Sequence, residues 1–256
     1  MPPPPERFTG WLAAAEARYL ADLTRAELGR ALRALSSCYV ERRGRLAEGA
    51  ALGTAGKRAA FALFYGPLHY LVIHAIAGRL HPAGDAPARG AIVDLGCGTG
   101  AAGAAWAHVH GGRVLGFDVN PWAVREAAWT YRQLDVDGSA ARAAAARVRL
   151  TPTPRLVLAA YLVNELAADE RAVLLDRLLE AARGGSPVLV VEPIARGVTP
   201  WWPEWQRAFE GAGGRANEWR FPADLPPLLR ELDRSAGLDH RELTARTLCV
   251  GLNEKV

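Results

Sequence analysis

The chain has 256 residues, of which 50% are hydrophobic and 23% are charged, with a formal net charge of +4. This balance is typical of a globular protein and excludes disordered, collagen-like and coiled-coil chains. The length suffices for one α/β domain with a helical addition, whereas two full domains would be crowded. The cysteines Cys38, Cys97 and Cys249 lie far apart with no His at ligand spacing, which predicts a reducing, cytoplasmic location and no metal centre.

The sequence of the N-terminal region predicts helices. Leucines recur at helical spacing from residue 20 to residue 35, and Thr24 with Glu27 forms a capping box that starts a helix. A second helix is expected from Lys57 to Leu80. The Pro- and Gly-rich run HPAGDAPARG ends this region, so we expect a helical cap over residues 1–87 and a second domain over residues 88–256.

The helix that begins at Lys57 raises the question of a membrane span. Residues 59–78, AAFALFYGPLHYLVIHAIAG, carry no charge over about the length that crosses a bilayer. Gly66-Pro67 interrupts the run, which also contains two histidines and two tyrosines. These residues favour a kinked helix buried in protein. The N-terminus predicts no secretory signal, because Glu16 and Arg18 interrupt its apolar run.

Beyond residue 88, short apolar runs alternate with helical stretches, which is typical of βαβ units around a parallel sheet. The predicted strands are Ala91–Asp94, Arg113–Asp118, Leu156–Ala160 and Val188–Glu192. The predicted helices between and after them cover residues 101–110, 121–134, 168–183, 204–212 and 224–236. A terminal strand pair is expected at Trp219–Phe221 and Thr247–Leu252.

The segment AIVDLGCGTG, residues 91–100, carries the most chemical information. An apolar strand ends at Asp94 and continues into a loop before an Ala-rich helix; the loop residues of interest are Gly96, Cys97, Gly98 and Gly100. Glycines let the backbone turn tightly and leave room for a ligand at the N-terminus of the next helix. Nicotinamide and flavin dinucleotide sites also use such loops, and a purely structural turn is a third interpretation. We expect Asp94 to face an ammonium group, since a carboxylate there repels a pyrophosphate.

The residues Asp94 to Gly100 resemble motif I of the class I S-adenosylmethionine (SAM)-dependent methyltransferases. GFDVNPWAVREA, residues 116–127, resembles the second strand of that family and its acidic tip. The resemblance implies a Rossmann-like α/β fold and SAM as cofactor, with Asp118 on the ribose hydroxyls and Val119 and Asn120 beside it. Asn120 and Pro121 also suit the start of a helix as N-cap and first helical residue.

A closer resemblance runs over roughly residues 30–222, to the ribosomal small-subunit-associated methyltransferase-like family. It rests on the order of SSCYVERRGRL, FALFYGPLHYLVIHAI, motif I, AAYLVNEL and VLVVEPIARG. The resemblance implies ribosomal RNA as the methyl acceptor. Members with an iron–sulfur cluster carry several cysteines after the fifth strand, where this chain has none between residues 197 and 221. A small-molecule methyltransferase and a non-catalytic SAM-binding ribosome assembly factor are therefore alternatives.

Candidate acceptor-facing residues follow the fourth strand of the expected sheet. Glu165 is a candidate general base, Asn164 a candidate for holding the acceptor, and Tyr161 lies beside them. The alternative is that Glu165 only complements the dipole of the following helix. Glu192, at the end of the next strand, is a second carboxylate at the same edge.

The basic residues bear on the choice of acceptor. Residues 1–90 hold twelve Lys and Arg against seven Asp and Glu, whereas residues 91–256 hold nineteen against twenty. The densest part, Arg25 to Arg58, fits either phosphate binding or a solvated helix face. Residues 138–154 lack an acid for the adenine amino group, so we expect apolar packing there.

Two further clusters favour a structural interpretation. Trp201, Trp202 and Trp205 suit a seam between helix and sheet better than a stacking platform for a base. His69 and His74, five residues apart, lie on different faces of a helix and lack a third ligand, so a metal pair is not expected.

Overall fold

The computed structural model describes residues 5–41, 52–82, 90–150, 154–194 and 199–254. The N-terminal region is helical as predicted, with α1 (Glu6–Tyr19), α2 (Arg25–Glu41), α3 (Ala55–Ala60), a π-helical turn (Phe61–Tyr65) and α4 (Gly66–Arg79). The predicted capping box starts α2: the Glu27 N–H donates to Thr24 Oγ1 at 3.3 Å and the Thr24 N–H donates to Glu27 Oε2 at 2.9 Å. Arg42, Arg43 and Arg45 lie outside the described residues.

The helical run Ala55–Arg79 is a core helix. It is long and apolar enough to cross a membrane, with a mean hydropathy of 1.5, yet 83% of its most apolar stretch is buried inside the protein. The expected kink takes the form of a π turn, in which the Gly66 N–H donates to the Phe61 carbonyl. Pro67 follows with no N–H to donate, so the wider turn falls where the regular hydrogen-bond ladder is interrupted.

A mixed sheet forms the centre of the molecule. Its strands are β2 (Ala91–Leu95), β3 (Arg113–Asp118), β4 (Gly138–Arg142), β5 (Leu156–Ala160), β6 (Val188–Glu192), β7 (Arg215–Pro222) and β8 (Glu242–Val250). They lie in the order β4-β3-β2-β5-β6-β8-β7, and β8 runs antiparallel to both of its neighbours. The four predicted inner strands and the terminal pair are confirmed. The strand β4 was missing from the prediction.

The helices between the strands also match their predicted positions closely. They are α5 (Ala101–His110), α6 (Pro121–Gln133), α7 (Ala168–Arg183), α8 (Trp202–Gly211) and α9 (Pro227–Ser235). A small second sheet joins β1 (Leu80–Pro82) to β9 (Leu252–Glu254), so the strand that ends the helical region pairs with the C-terminal segment. One hydrophobic cluster includes residues from α1 to α4 and from the sheet.

The three clustered tryptophans belong to a second hydrophobic cluster on the other face of the sheet. Trp201, Trp202 and Trp205 are buried there with leucines of α7. Their interpretation as a seam between helix and sheet therefore agrees with the structure.

The topology determines where a ligand can bind. The chain winds from β2 through β3 to β4 in one direction, and then from β5 to β6 in the other. In open α/β sheets, ligands bind at the carboxyl ends of the strands beside such a reversal. The loop after β2 lies at this point, and α4 packs against α5 above it.

Candidate active site

A cavity of about 740 Å³ opens at the carboxyl edge of the sheet. The glycine loop after β2 and the residues that follow β3, β5 and β6 form its floor, while the π turn and α4 form one wall. The loop before β8 forms another wall. The volume falls within the roughly 300–1,000 Å³ typical of small-ligand pockets.

The glycine loop forms the part of the floor that is nearest to α5. Gly96, Gly98 and Gly100 have φ values of 65°, 52° and 77°, a region that L side chains rarely adopt. A Cβ on Gly96 would lie 2.5 Å from Leu162 Cδ1, so the close approach there is to protein. A Cβ on Gly98 would meet only the Phe61 ring at 3.6 Å. Gly98 is therefore the position at which a ligand can lie directly on the backbone.

Asp94 lies beneath this loop. The sequence predicts that it faces the ligand, but its Oδ2 accepts a hydrogen bond from the Gly103 N–H at 3.0 Å, and its side chain is buried. Burial raises the pKa of the Asp94 carboxyl to about 7, and the charge of Asp118 adds to this shift. This placement makes Asp94 a residue that fixes the loop against the N-terminus of α5.

Asp118 holds the loop from the side of β3. Its Oδ2 accepts from the Gly98 N–H at 3.0 Å and its Oδ1 accepts from the Asn120 N–H at 2.8 Å. Each carboxylate oxygen has a second lone pair, so both oxygens can accept one more hydrogen bond from a ligand. Asn120 caps α6 as predicted, since its Oδ1 accepts from the Trp122 N–H at 2.9 Å.

An apolar surface adjoins Asp118. Val119 is 58% exposed, an unusual degree for a large aliphatic side chain, and it lines the cavity with residues 143–146, all of them alanine. This surface suits the flat face of an adenine ring, in agreement with the apolar packing that the sequence predicts. Three features therefore fit SAM. There is open space above the Gly98 backbone, Asp118 can accept further hydrogen bonds, and the Val119 side chain is exposed.

Cys97 contributes to the glycine loop through its backbone and its small side chain, and not through its thiol. Its N–H donates to the Phe117 carbonyl at 3.0 Å, which ties the loop to the end of β3. Burial raises the pKa of the Cys97 thiol well above its ordinary value, and the Asp94 and Asp118 carboxylates raise it further. A thiol held neutral in this way is a poor nucleophile.

Asn164 and Glu192 form one hydrogen-bonded unit beyond the glycine loop. Glu192 is fully buried; its Oε1 accepts from the Val163 N–H at 2.8 Å and its Oε2 accepts from Asn164 Nδ2 at 2.7 Å. Asn164 Oδ1 in turn accepts from Trp201 Nε1 at 2.9 Å. Since both ends of the Asn164 amide are occupied, Asn164 positions Glu192 in this structure, and Trp201 acquires a polar role that the sequence did not indicate.

Two carboxyls on the floor have raised pKa values. Burial raises the pKa of Glu165 to about 7, and the nearby Asp118 charge adds to the shift. Burial also raises the pKa of Glu192 to about 8, although the backbone hydrogen bonds from Val163 and Asn164 oppose this shift. Titration close to neutral pH is the property that a proton-transferring group needs.

An aromatic wall faces these carboxyls. Tyr161 adopts a φ of 57°, and its ring stacks on His69 with centroids 3.8 Å apart and planes 11° apart. Phe61 and Tyr65 lie beside His69, with ring centroids 6.0 and 6.4 Å away. Burial lowers the pKa of His69 to about 3, so its imidazole is neutral and serves as an aromatic surface.

Phe61 and Tyr65 were not predicted as site residues, and His69 was considered only as a candidate metal ligand. Their spacing of four residues places all three on one helical face, but this spacing is equally typical of core residues. His74 faces elsewhere and stacks on Tyr70 at 5.9 Å. Within the described part of the chain, no group of three or more His, Cys, Asp or Glu side chains could hold a metal ion.

Comparisons with known proteins agree with this geometry. Residues 92–185 match a family model described as a methyltransferase domain. A search of curated proteins gives no match. The solved structure of the mitomycin 7-O-methyltransferase MmcR superposes with a TM-score of 0.52 at 14% identity, covering 98% of this chain and 74% of that one.

Two further solved structures each cover about three quarters of this chain. A TehB-like SAM-dependent methyltransferase from Corynebacterium glutamicum has a TM-score of 0.45 at 20% identity, over 72% of this chain and 87% of that one. A SAM-dependent methyltransferase from Thiobacillus denitrificans, solved with S-adenosylhomocysteine, has a TM-score of 0.45 at 14% identity, over 74% and 92%. The fold is Rossmann-like, and residues 92–185 match a methyltransferase domain.

Proposed function

We propose that the protein is a SAM-dependent methyltransferase that acts on a small, neutral or cationic acceptor, which binds between the aromatic wall and the acidic floor of the cavity. SAM, when bound, supplies a methyl group on a positively charged sulfur. Gly98, Asp118 and Val119 hold the cofactor, while Glu165 and Tyr161 lie where the acceptor must approach. Their tasks are to align the acceptor and to exclude water.

The charge of the cavity carries this proposal. Among the described residues that line it there is no Lys or Arg, whereas five carboxylate residues do line it. They are Asp118, Glu165, Glu170, Glu192 and Glu242. A lining without Lys or Arg offers no cation to pair with the phosphates of a polynucleotide, and its acidic groups favour a cationic or neutral acceptor. The aromatic wall adds a surface on which a planar or cationic group packs well.

Two of the three basic residues of α2, Arg25 and Arg33, are engaged with the protein itself. Arg25 forms ion pairs with Glu16 of α1 and Glu231 of α9. Arg33 donates to the Ser235 carbonyl at the end of α9. These contacts tie α2 to its neighbours and leave these two guanidinium groups less available for phosphate.

RNA is the second candidate acceptor, as either a substrate or the partner of a non-catalytic assembly factor. The positive excess of the first 90 residues favours it. Its densest part, which includes Arg42, Arg43 and Arg45, lies outside the described residues. The ribosomal small-subunit family therefore stays a prediction from sequence resemblance.

A label-transfer experiment tests the proposal. The protein is incubated with SAM that carries a radiolabelled methyl group and with cell extract divided into small-molecule, RNA and protein fractions. We expect label in the small-molecule fraction, and none with Asp118→Ala, the variant impaired in cofactor binding. Label in RNA that persists at physiological salt would contradict the small-acceptor proposal. Unlabelled fractions, with SAM binding intact, would favour the assembly factor.

A further inference from the structure

An Asp–His pair lies at the wall of the cavity that the loop before β8 forms, with only its histidine lining the cavity. Asp233 of α9 and His240, in the loop before β8, are joined by a contact of 2.5 Å between Oδ1 and Nδ1. The second carboxylate oxygen of Asp233 accepts from the His240 N–H at 2.9 Å. Two bonds from one carboxylate fix both the backbone and the ring of His240.

The position of Asp233 is energetically unfavourable for a charged carboxylate. It lies in the last turn of α9, where the helix dipole disfavours a negative charge, and its side chain is only 6% exposed. A buried carboxylate at a helix C-terminus needs a strong partner to offset these costs. His240 is that partner, so the pair is a built feature of this wall.

His240 has one ring nitrogen left for a ligand. Its residue lines the cavity, its side chain is 35% exposed, and its ring packs against Phe64 of the π turn at 6.1 Å. A carboxylate on Nδ1 favours the tautomer with the proton on that nitrogen, which leaves a lone pair on Nε2. Since Nδ1 faces α9, Nε2 lies on the side of the ring that faces away from it.

We propose that His240 is the group that takes a proton from the methyl acceptor, and that Asp233 positions it. This inference rests on the proposed function and narrows the acceptor to a hydroxyl or an N–H compound. The acceptor atom gives its proton to Nε2 while its lone pair bonds to the methyl carbon. The electron pair of the broken carbon–sulfur bond stays on sulfur, and the proton on His240 then passes to solvent.

The other carboxyls of the site serve a different need. Glu192 is buried and bonded to Val163 and Asn164, whereas Glu165 lies on the floor, where its ionised form complements a cationic cofactor. The titratable and charged groups that adjoin His240 or line the same cavity come from four parts of the structure. They are Asp233 of α9, Asp239, Arg241 and Glu242 of its own loop and strand, Tyr65 and His69 of the cap, and Glu165 and Glu192 of the floor.

Nuclear magnetic resonance tests the pair without turnover. The full chain, labelled with ¹⁵N-histidine and saturated with S-adenosylhomocysteine, is compared with His240→Gln to assign the ring. We expect the proton on Nδ1, an unprotonated Nε2 that shifts on addition of phenol, and loss of the tautomer preference in Asp233→Asn. Asp239→Asn, an exposed acid in the same loop, should change nothing. A proton fixed on Nε2, or a ring indifferent to phenol, would overturn the proposal.

Kinetics separate a catalytic role from a structural one. With the small-molecule fraction of a cell extract as acceptor, His240→Gln should lower turnover on the order of 100-fold or more, with SAM affinity unchanged. Free imidazole should partly restore His240→Ala. A turnover lost in Glu165→Gln but retained in His240→Gln would assign the proton to Glu165 instead.

The two proposals fail in different ways. If the parent protein labels no small molecule, the proposed acceptor class is wrong, whereas the resonance experiment still decides whether His240 presents a bare Nε2. If the parent is active and His240→Gln is equally active, only the proton-accepting role of His240 is wrong.

Discussion

Replacing Asp118 by Ala should weaken SAM binding about 10- to 150-fold. The carboxylate accepts two backbone N–H groups and is proposed to accept the ribose hydroxyls with its remaining lone pairs. A hydrogen bond to a charged group contributes about 1.5–3 kcal/mol, and each 1.4 kcal/mol is about tenfold in affinity. Losing one such bond of about 1.5 kcal/mol weakens binding about tenfold, and losing one of about 3 kcal/mol weakens it about 150-fold.

The loop itself should loosen in this variant, because the Gly98 N–H loses its acceptor. A second effect on affinity therefore acts in the same direction. Titration calorimetry with SAM and with S-adenosylhomocysteine measures the loss, and thermal unfolding without ligand shows how much of it comes from the fold. Asp137→Ala is the matched control, since this acid is 78% exposed and does not line the cavity. An affinity within twofold of the parent would refute the assignment of Asp118, and so would tighter binding of NAD than of SAM.

Three further variants test the loop and the floor. Gly98→Val should abolish SAM binding in calorimetry. It should also lower the stability of the fold by about 1–3 kcal/mol, because residue 98 has a positive φ, although there is space for a side chain. Normal SAM binding by this variant would mean that the loop is only a structural turn. Gly103→Ala should destabilise by about 1–3 kcal/mol in chemical denaturation, since its Cβ would lie 2.7 Å from Asp94 Oδ2; Gly10→Ala, with open space in α1, should stabilise instead. Glu165 has a pKa of about 7 in the fold against an ordinary 4.5, so its contribution to stability is fully present below about pH 4.5 and is lost as the pH rises through 7. Denaturation between pH 4.5 and 8 should therefore show a smaller decline for Glu165→Gln than for the parent, and parallel curves would contradict the raised pKa.

The sheet was predictable because each of its inner strands is a short, largely apolar run. Leu156–Ala160 and Val188–Glu192 are buried along their whole length, which gives the composition of parallel strands with both faces covered. The strand β4, with the sequence GSAAR, was missed because it lies at the edge of the sheet and is partly exposed. Little in its composition separates it from a loop.

The cofactor half of the site follows from local sequence, whereas the acceptor half does not. The glycine loop and Asp118 are each positioned by the strand that precedes them, so spacing alone brings them together. Phe61 reaches the cavity only because α4 packs across α5. His240 reaches it because α9 and β8 hold the loop between them. Such positions depend on tertiary packing between segments distant in sequence.

The orientation of the Asp94 side chain could not be predicted from the sequence, for a different reason. A carboxylate at a strand end can face a ligand or the N-terminus of the next helix, and both are favourable for a negative charge. The absence of a side chain at Gly103 decides between them, since a Cβ there would fill the space that the carboxylate occupies. That contact spans nine residues and is not visible as a pattern in the sequence.

A crystal structure of the protein with S-adenosylhomocysteine tests the central claim most directly. The account predicts ribose hydroxyls on Asp118, adenine between Val119 and the alanines of residues 143–146, and the sulfur directed toward a chamber lined by Tyr161 and His240. A ligand that avoided Asp118, or one that placed its sulfur away from this chamber, would contradict it.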